Sequence, residues 1–421
     1  MRREDGAQSL RENLDPAGLR DEAMEKVMPE DVRLAVVLTG NAGRRVAGLS
    51  VLARIQHAFS SVGMEPTAFV VTDADQRAVA SVLGIPNDRI VENLSQLEAG
   101  TWIVCRSDMV LDRVMADHVL SLARNLGQDR HLRLGRSICI GFPVEDCSGA
   151  EPIEPKGVFV ELDGPGAAFR AKRALIRACR KPVAIDGLVC RALGRPLSGW
   201  ITHVLLELPV TPNMVTAVSL VLGLAAAVTV AFEQRFALGA GLLFLSWVLD
   251  NSDGEIARTK YLGSTWGAWF DIYADFLTNE AFIVGMGYGL SKALESPLLW
   301  WVGLYAAVVL ALYNAVVFAH IHRLGIPDEF LFQWWFDASD EQADSESNSG
   351  GKSVDGGGGS SLARFFSYVK YLGRRDFFIF FYFVSALLGI LHWALWATAL
   401  GATFTGILTV GHVIFSRHRH V

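Results

Sequence analysis

The chain has 421 residues, enough for roughly two or three domains. Hydrophobic residues make up 51% of it and the mean hydropathy is +0.30, which excludes a wholly soluble protein of ordinary composition. Lysine and arginine number 38 against 44 acidic residues; this net charge of −6 says little by itself because the basic residues are clustered, and no nucleic-acid partner is expected. The apolar excess is uneven, because residues before about 200 read as a soluble domain and residues after about 210 read as membrane.

Residues 1–30 are polar, carry no signal-peptide pattern and are predicted to be disordered. From 31 to 168 strands and helices alternate. RLAVVLTG is a buried strand, SVLARIQHAFSSVG an amphipathic helix and TAFVVTD a second strand. DQRAVASVLG is a helix, TWIVCRSD a strand and DRVMADHVLSLARNLG a helix, with GFPVED and GVFVELD as later strands. This alternation predicts a parallel or mixed sheet covered by helices. The five cysteines (Cys105, Cys139, Cys147, Cys179, Cys190) all lie before the apolar half. Their odd number and irregular spacing predict reduced thiols in a cytosolic compartment.

The loop after the first strand, TGNAGRR (Thr39 to Arg45), is open to two readings. Its backbone amides can wrap a phosphate, or it can be a plain strand-to-helix turn. The order of elements around it resembles the sugar-nucleotidyltransferase fold. That resemblance implies a nucleotide loop at Gly40, Gly43 and Arg44, and a metal-binding aspartate at Asp108 in CRSDMVLD. The family carries a Lys-Pro pair soon after the glycine loop, whereas here the stretch reads VAGLSVLAR, with no lysine to neutralise a triphosphate. The domain is therefore expected to be a degenerate, non-catalytic nucleotidyltransferase.

Residues 169–208 are basic and amphipathic. FRAKRALIRACRKP packs six cationic side chains into fourteen positions, and DGLVCRALGRPLSGWITHVLLEL follows with Trp200 near its middle. The pattern predicts interfacial helices with a basic face toward anionic lipid headgroups. Residues 209–421 supply an all-α membrane domain of six transmembrane helices, at about 211–232, 236–252, 266–290, 297–320, 376–392 and 394–415. Thr211 is placed to cap the first, with Pro212 in its first turn. Residues 337–362, acidic and Ser/Gly-rich, form a flexible linker. Basic residues crowd the loops on one side (Arg258, Lys260, His322, Arg323, Arg374, Arg375 and the tail SRHRHV). The positive-inside rule then places both termini and the 250–275 stretch in the cytoplasm.

That stretch, DNSDGEIARTKYLGSTWGAWFDIYAD, carries the chemistry. Asp250 and Asp253 are spaced i,i+3, and Asp271 and Asp275 i,i+4, so each pair lies on one helix face. Carboxylates at the ends of apolar helices are costly to place there. Hard divalent cations take carboxylate oxygens, and two of them can clamp a pyrophosphate. Gly254 and Gly267 leave room for a flat nucleotide, Ala257 is small, and Arg258 can offset charge or contact phosphate.

The full pattern is D-x-x-D-G-x-x-A-R, eight residues, then G-x-x-x-D-x-x-x-D, filled at every position. It resembles the signature of the CDP-alcohol phosphotransferase family, integral membrane enzymes with six spans. The resemblance implies two Mg²⁺ or Mn²⁺ ions on Asp250, Asp253, Asp271 and Asp275, with Asp275 as general base. It implies a CDP pocket of Asp250, Asp253, Gly254, Ala257, Arg258 and Gly267. The reaction implied is attack of an acceptor hydroxyl on the β-phosphorus of a CDP-alcohol with loss of CMP, carried out at a bacterial or archaeal plasma membrane by a homodimer. Lys181-Pro182, Asp186-Gly187 and Arg191 resemble the stretch ahead of span 1 in the family's inositol-phosphate branch, although its Asn-Arg pair reads Gly194-Arg195 here. An acceptor phosphate is accordingly assigned to Lys181, Arg191 and Arg195, with Arg374 and Arg375 as further candidates. The fusion is similar to the bifunctional inositol-1-phosphate cytidylyltransferase/di-myo-inositol-phosphate-phosphate synthase group, which implies phosphoinositol transfer to an inositol phosphate. The alternative is a phospholipid synthase using CDP-diacylglycerol and a polar alcohol or inositol phosphate, with a regulatory front domain.

Overall fold

The computed structural model describes residues 32–126, 130–141, 149–180, 186–327 and 374–418. The expected disordered N-terminus, the linker at 337–362, most of GFPVED, Cys147 and Lys181 fall outside the described residues. The chain divides into two compact units. The first comprises the residues up to Arg180 together with Thr202–Val210 and Glu255–Leu262. The second comprises Lys181–Ile201, Thr211–Gly254 and Gly263–Val421. Short segments from later in the chain thus fold with the front domain.

The first unit is built on a seven-stranded mixed sheet. Strand β1 (Val32–Val37) lies between β4 (Pro66–Val70) and β6 (Thr101–Arg106), parallel to both. The unbroken burial of Leu34, Ala35 and Val36 reflects a strand covered on both faces. Beyond β6 the sheet turns antiparallel through β9 (Ile138–Gly141) and β8 (Leu132–Leu134), a hairpin not foreseen from sequence. GVFVELD does form a strand at Phe159–Glu161, but it pairs with Met109–Leu111 in a separate two-stranded ribbon. Helix α1 (Val51–Ser60) starts where the Ser50 hydroxyl accepts from Ala53 N at 3.2 Å. Helix α2 is Ala74–Val82, and α3 (Arg113–Arg124) is capped by Asp112, which accepts from Met115 N at 2.9 Å. Helix α4 (Ala167–Ala178) carries the basic run. Cys105, Cys179 and Cys190 are free thiols, whereas Cys139 is disulfide-bonded, which corrects the expectation of a fully reduced set.

In the second unit, a five-residue π-turn at Cys190–Gly194 leads into α5 (Arg195–Leu205), whose Trp200 is 73% exposed. Helix α6 (Pro212–Val228) is capped by the Thr211 hydroxyl, as its sequence predicts, and runs on as a π-turn through Glu233. Then come α7 (Phe236–Lys260), α8 (Thr265–Ala293), α9 (Pro297–Leu324), α10 (Arg375–Leu387) and α11 (Leu391–His418). Helices lie at all six expected spans. Among the described residues three stretches, rather than six, are long and apolar enough to cross a membrane: Pro212–Glu233, Pro297–Leu324 and Leu391–Ile414. In α7 and α8 the aspartates dilute the apolar run, and α10 has 13 residues.

Helix α8 is the hub, packed against α6, α9 and α11. Small residues make this possible. A Cβ on Gly289 would stand 2.1 Å from the Val230 carbonyl oxygen, and one on Gly285 would stand 2.6 Å from that of Ala227. Glycines four apart let two backbones touch, the means by which helices associate where no water drives them together. Trp247, Phe282, Met286, Tyr382 and Leu395 fill the core around this contact.

Candidate active site

Helix α7 contributes Asp250 and Asp253, and α8 contributes Asp271 and Asp275. Ser264 caps α8, its hydroxyl accepting from Gly267 N at 3.0 Å, which places Asp271 and Asp275 about two and three turns into the helix. Oxygens of Asp250, Asp271 and Asp275 all lie within 4.8 Å of one another. Asp253 goes elsewhere: three residues along a helix is not a full turn, and its carboxylate accepts from the Thr216 hydroxyl of α6. The Gly267 position is tight, since a Cβ there would meet Asn213 Oδ1 at 2.7 Å and Ser264 Oγ at 2.9 Å. Gly254 is half-buried in the second unit.

Arg375, at the start of α10, sits on the cluster. Its Nη1 donates to Asp250 Oδ2 at 3.2 Å and also to Asp275 Oδ2. By sequence it is one of the acceptor-phosphate candidates. Its distance along the chain, more than a hundred residues from Asp250, hid its contact with the aspartates. Three carboxylates against one guanidinium leave two negative charges, the charge that one divalent cation balances. Asp250 Oδ1 is buried with no hydrogen-bond partner among the described residues. Hard oxygen donors, a charge surplus and an orphaned buried oxygen fit a divalent cation such as Mg²⁺ or Mn²⁺.

The other assigned residues divide. Ala257 and Arg258 fold with the first unit, and Arg258 Nε donates to the Cys179 carbonyl at 2.6 Å. Arg195 is 4% exposed and clamps Asp186 through two bonds of 2.8 Å, Nε to Oδ2 and Nη2 to Oδ1. This bidentate pair engages Arg195, one of the assigned acceptor-phosphate residues, with a carboxylate of the same unit. Arg191 is exposed. Asp376, 7% exposed, accepts from Cys190 N at 3.1 Å, and Arg374 Nε lies 3.5 Å from Asp376 Oδ1. A Cβ on Gly187 would overlap Asp376, so this segment folds tightly around the head of α10.

In the front domain, Gly40 and Gly43 face open space at the end of β1. Asp108 is already engaged: Arg106 Nε donates to it at 3.0 Å and Ser137 Oγ at 2.8 Å. The loop itself is closed by Ala42 N to Thr39 O and Arg44 N to Asn41 O, and Thr39 N donates to Ser107 Oγ at 2.8 Å.

Comparison with known proteins bears on the second unit. The family profile described as CDP-alcohol phosphatidyltransferase matches residues 209–332, which hold all four aspartates. The chain carries a CDP-alcohol phosphatidyltransferase domain. It is similar to the bifunctional IPC transferase and DIPP synthase of Thermococcus kodakarensis, with 33% identity over 149 residues, 35% of this chain and 33% of that one. The protein of the same name from Aquifex aeolicus matches at 32% identity over 143 residues, 34% of this chain and 32% of that one. The chain thus matches about a third of the length of these curated relatives. Among solved structures, a phosphatidylinositol phosphate synthase of Mycobacterium tuberculosis with CDP-DAG bound aligns at a TM-score of 0.33 and 20% identity. That alignment covers 52% of this chain and 94% of that one.

Proposed function

We propose that this protein transfers a phospho-alcohol group, of phosphoinositol type, from a CDP-alcohol to a hydroxyl acceptor with release of CMP. The observation that carries the reading is the convergence of Asp250, Asp271 and Asp275 within 4.8 Å inside a CDP-alcohol phosphatidyltransferase domain. The bifunctional IPC transferase and DIPP synthase relatives favour an inositol-phosphate substrate.

Asp250, Asp271 and Asp275 would hold divalent cations, with Asp253 steadied by Thr216. When bound, such cations neutralise charge on the pyrophosphate oxygens. Asp275 accepts the proton of the acceptor hydroxyl. The acceptor oxygen bonds to the β-phosphorus, the phosphoanhydride bond breaks, and CMP leaves with the electron pair. Arg375 steadies Asp250 and Asp275 and offers a guanidinium beside the reacting phosphate. Gly254 and Gly267 leave space for the nucleotide, and the motif also assigns Ala257 and Arg258 to its binding. Positioning and electrostatics supply most of the rate, as in phosphoryl transfer generally. The protein acts as a homodimer in a bacterial or archaeal plasma membrane, with six spans, cytoplasmic termini and a cytoplasmic site.

The test is incubation of the purified protein with Mg²⁺, either CDP-inositol or CDP-diacylglycerol, and a panel of inositol phosphates and polar alcohols. CMP release with CDP-inositol supports the reading. Release with CDP-diacylglycerol alone replaces it by phospholipid synthesis, and release with neither donor refutes it.

A further inference from the structure

Arg54 is fully buried, yet its partners are backbone carbonyls rather than a carboxylate. Nη1 donates to Thr259 O at 2.9 Å, and Nη2 donates to Val46 O at 2.9 Å and Ala47 O at 3.2 Å. Its neighbours on α1, Leu52, Ile55 and Phe59, are apolar and buried, so packing alone calls for another apolar residue here. Burying a guanidinium is expensive unless its donors find acceptors that nothing else can satisfy. The last carbonyls of a helix are such acceptors, and they also sit at the negative end of its dipole. Thr259 stands in the final turn of α7, one residue after Arg258.

Five further contacts gather on that turn, all inside the first unit. The β2–β3 hairpin (Arg45–Val46 and Leu49–Ser50) turns through Ala47 at φ 51° and Gly48 at φ 83°. A Cβ on Gly48 would meet Leu206 O at 2.6 Å and Lys260 Cε at 2.7 Å, so its tip is pressed against this segment. Lys260 Nζ donates to Leu208 O at 2.9 Å and Val210 O at 3.2 Å. Leu262 N closes the helix on Ala257 O at 2.9 Å, with Tyr261 left-handed at φ 56°, where glycine is usual. The Tyr261 ring is held by stacking on His57 at 5.5 Å. Arg258 Nε to Cys179 O completes the set.

We infer that the front domain is a clamp on the end of the motif helix, with Arg54 as the positioning residue that fixes the backbone carrying Ala257 and Arg258. The stretch that lacks the nucleotidyltransferase lysine, VAGLSVLAR, is the one that supplies the hairpin tip and Arg54. The role of that stretch is to hold a nucleotide-binding segment still, not to transfer a nucleotide. The part played by Ala257 and Arg258 rests on the reading under Proposed function, whereas the clamp itself does not.

The experiment uses the full chain in detergent with Mg²⁺, comparing wild type with Arg54→Met. Hydrogen–deuterium exchange is followed over 255–262, and CDP binding is measured by calorimetry. Exchange over 255–262 should rise by about tenfold while β1 and β6 stay protected, and CDP affinity should fall by about three- to tenfold. Unchanged exchange over 255–262 overturns the clamp, and faster exchange with unchanged CDP affinity overturns the positioning role. Faster exchange in a chain whose wild type binds no CDP sinks the proposed function and leaves the clamp standing. Should Arg54→Met fail to fold, Arg54→Lys and the surface change His57→Ala carry the same comparison.

Discussion

Replacing Arg375 by methionine isolates the charge balance of the aspartate cluster. The guanidinium is 25% exposed, and its partners Asp250 and Asp275 are 15% and 28% exposed. Breaking a fully buried pair costs about 3–5 kcal/mol, and an exposed one costs about 0–1 kcal/mol. Groups this far from solvent, yet not dry, fall between, at about 2–3 kcal/mol for the metal-free protein. The same change frees two carboxylates for a cation. Since about 1.4 kcal/mol is a factor of ten, Mn²⁺ should bind about tenfold or more tightly to Arg375→Met. Two assays check this on the full chain: calorimetric Mn²⁺ titration, and thermal unfolding with chelator or with saturating Mg²⁺. The variant should melt well below wild type in chelator and approach it in Mg²⁺. An Mn²⁺ affinity equal to wild type, or weaker, would refute the view that Arg375 and a cation share these carboxylates.

Asp275→Asn should fold normally, as judged by its melting temperature, and lose about 10²- to 10⁴-fold in CMP release, the range of one general base; near wild-type turnover removes Asp275 from that role. Gly267→Ala sets a methyl 2.7 Å from Asn213 Oδ1 and should raise the KM for the CDP-alcohol more than it lowers kcat. Gly289→Ala meets the Val230 carbonyl, which is backbone and cannot swing aside, so detergent-solubilised protein should lose about 1–3 kcal/mol in thermal or denaturant unfolding. The full-length Asp275→Asn chain, given CTP and inositol 1-phosphate, should release no pyrophosphate above background, because Asp108 is held by Arg106 and Ser137 and the loop has no lysine.

Much of the second unit was legible because its signals are local. Apolar runs locate helices, Thr211-Pro212 marks a helix start, and i,i+3 and i,i+4 spacing puts carboxylates on helix faces. The front sheet was legible in part: its parallel core follows from strand and helix alternation, but the strands of three or four residues at Leu132–Leu134 and Ile138–Gly141 are too short to show a period.

The sequence by itself determined the two-part architecture, the four aspartates and the family of the domain around them, since each depends on residues close in the chain. Only the tertiary structure decided which of those aspartates meet. Asp250, Asp271 and Asp275 converge, while Asp253 is turned to Thr216, a difference of side-chain direction that spacing cannot resolve. Only the structure brought Arg375 to the cluster, buried Arg195 against Asp186, and joined Arg54 to the carbonyl of Thr259, 205 residues away. The physical reason is the same in each case. A charge inside a protein needs its partner within a few ångströms, and chain distance says nothing about where folding puts that partner.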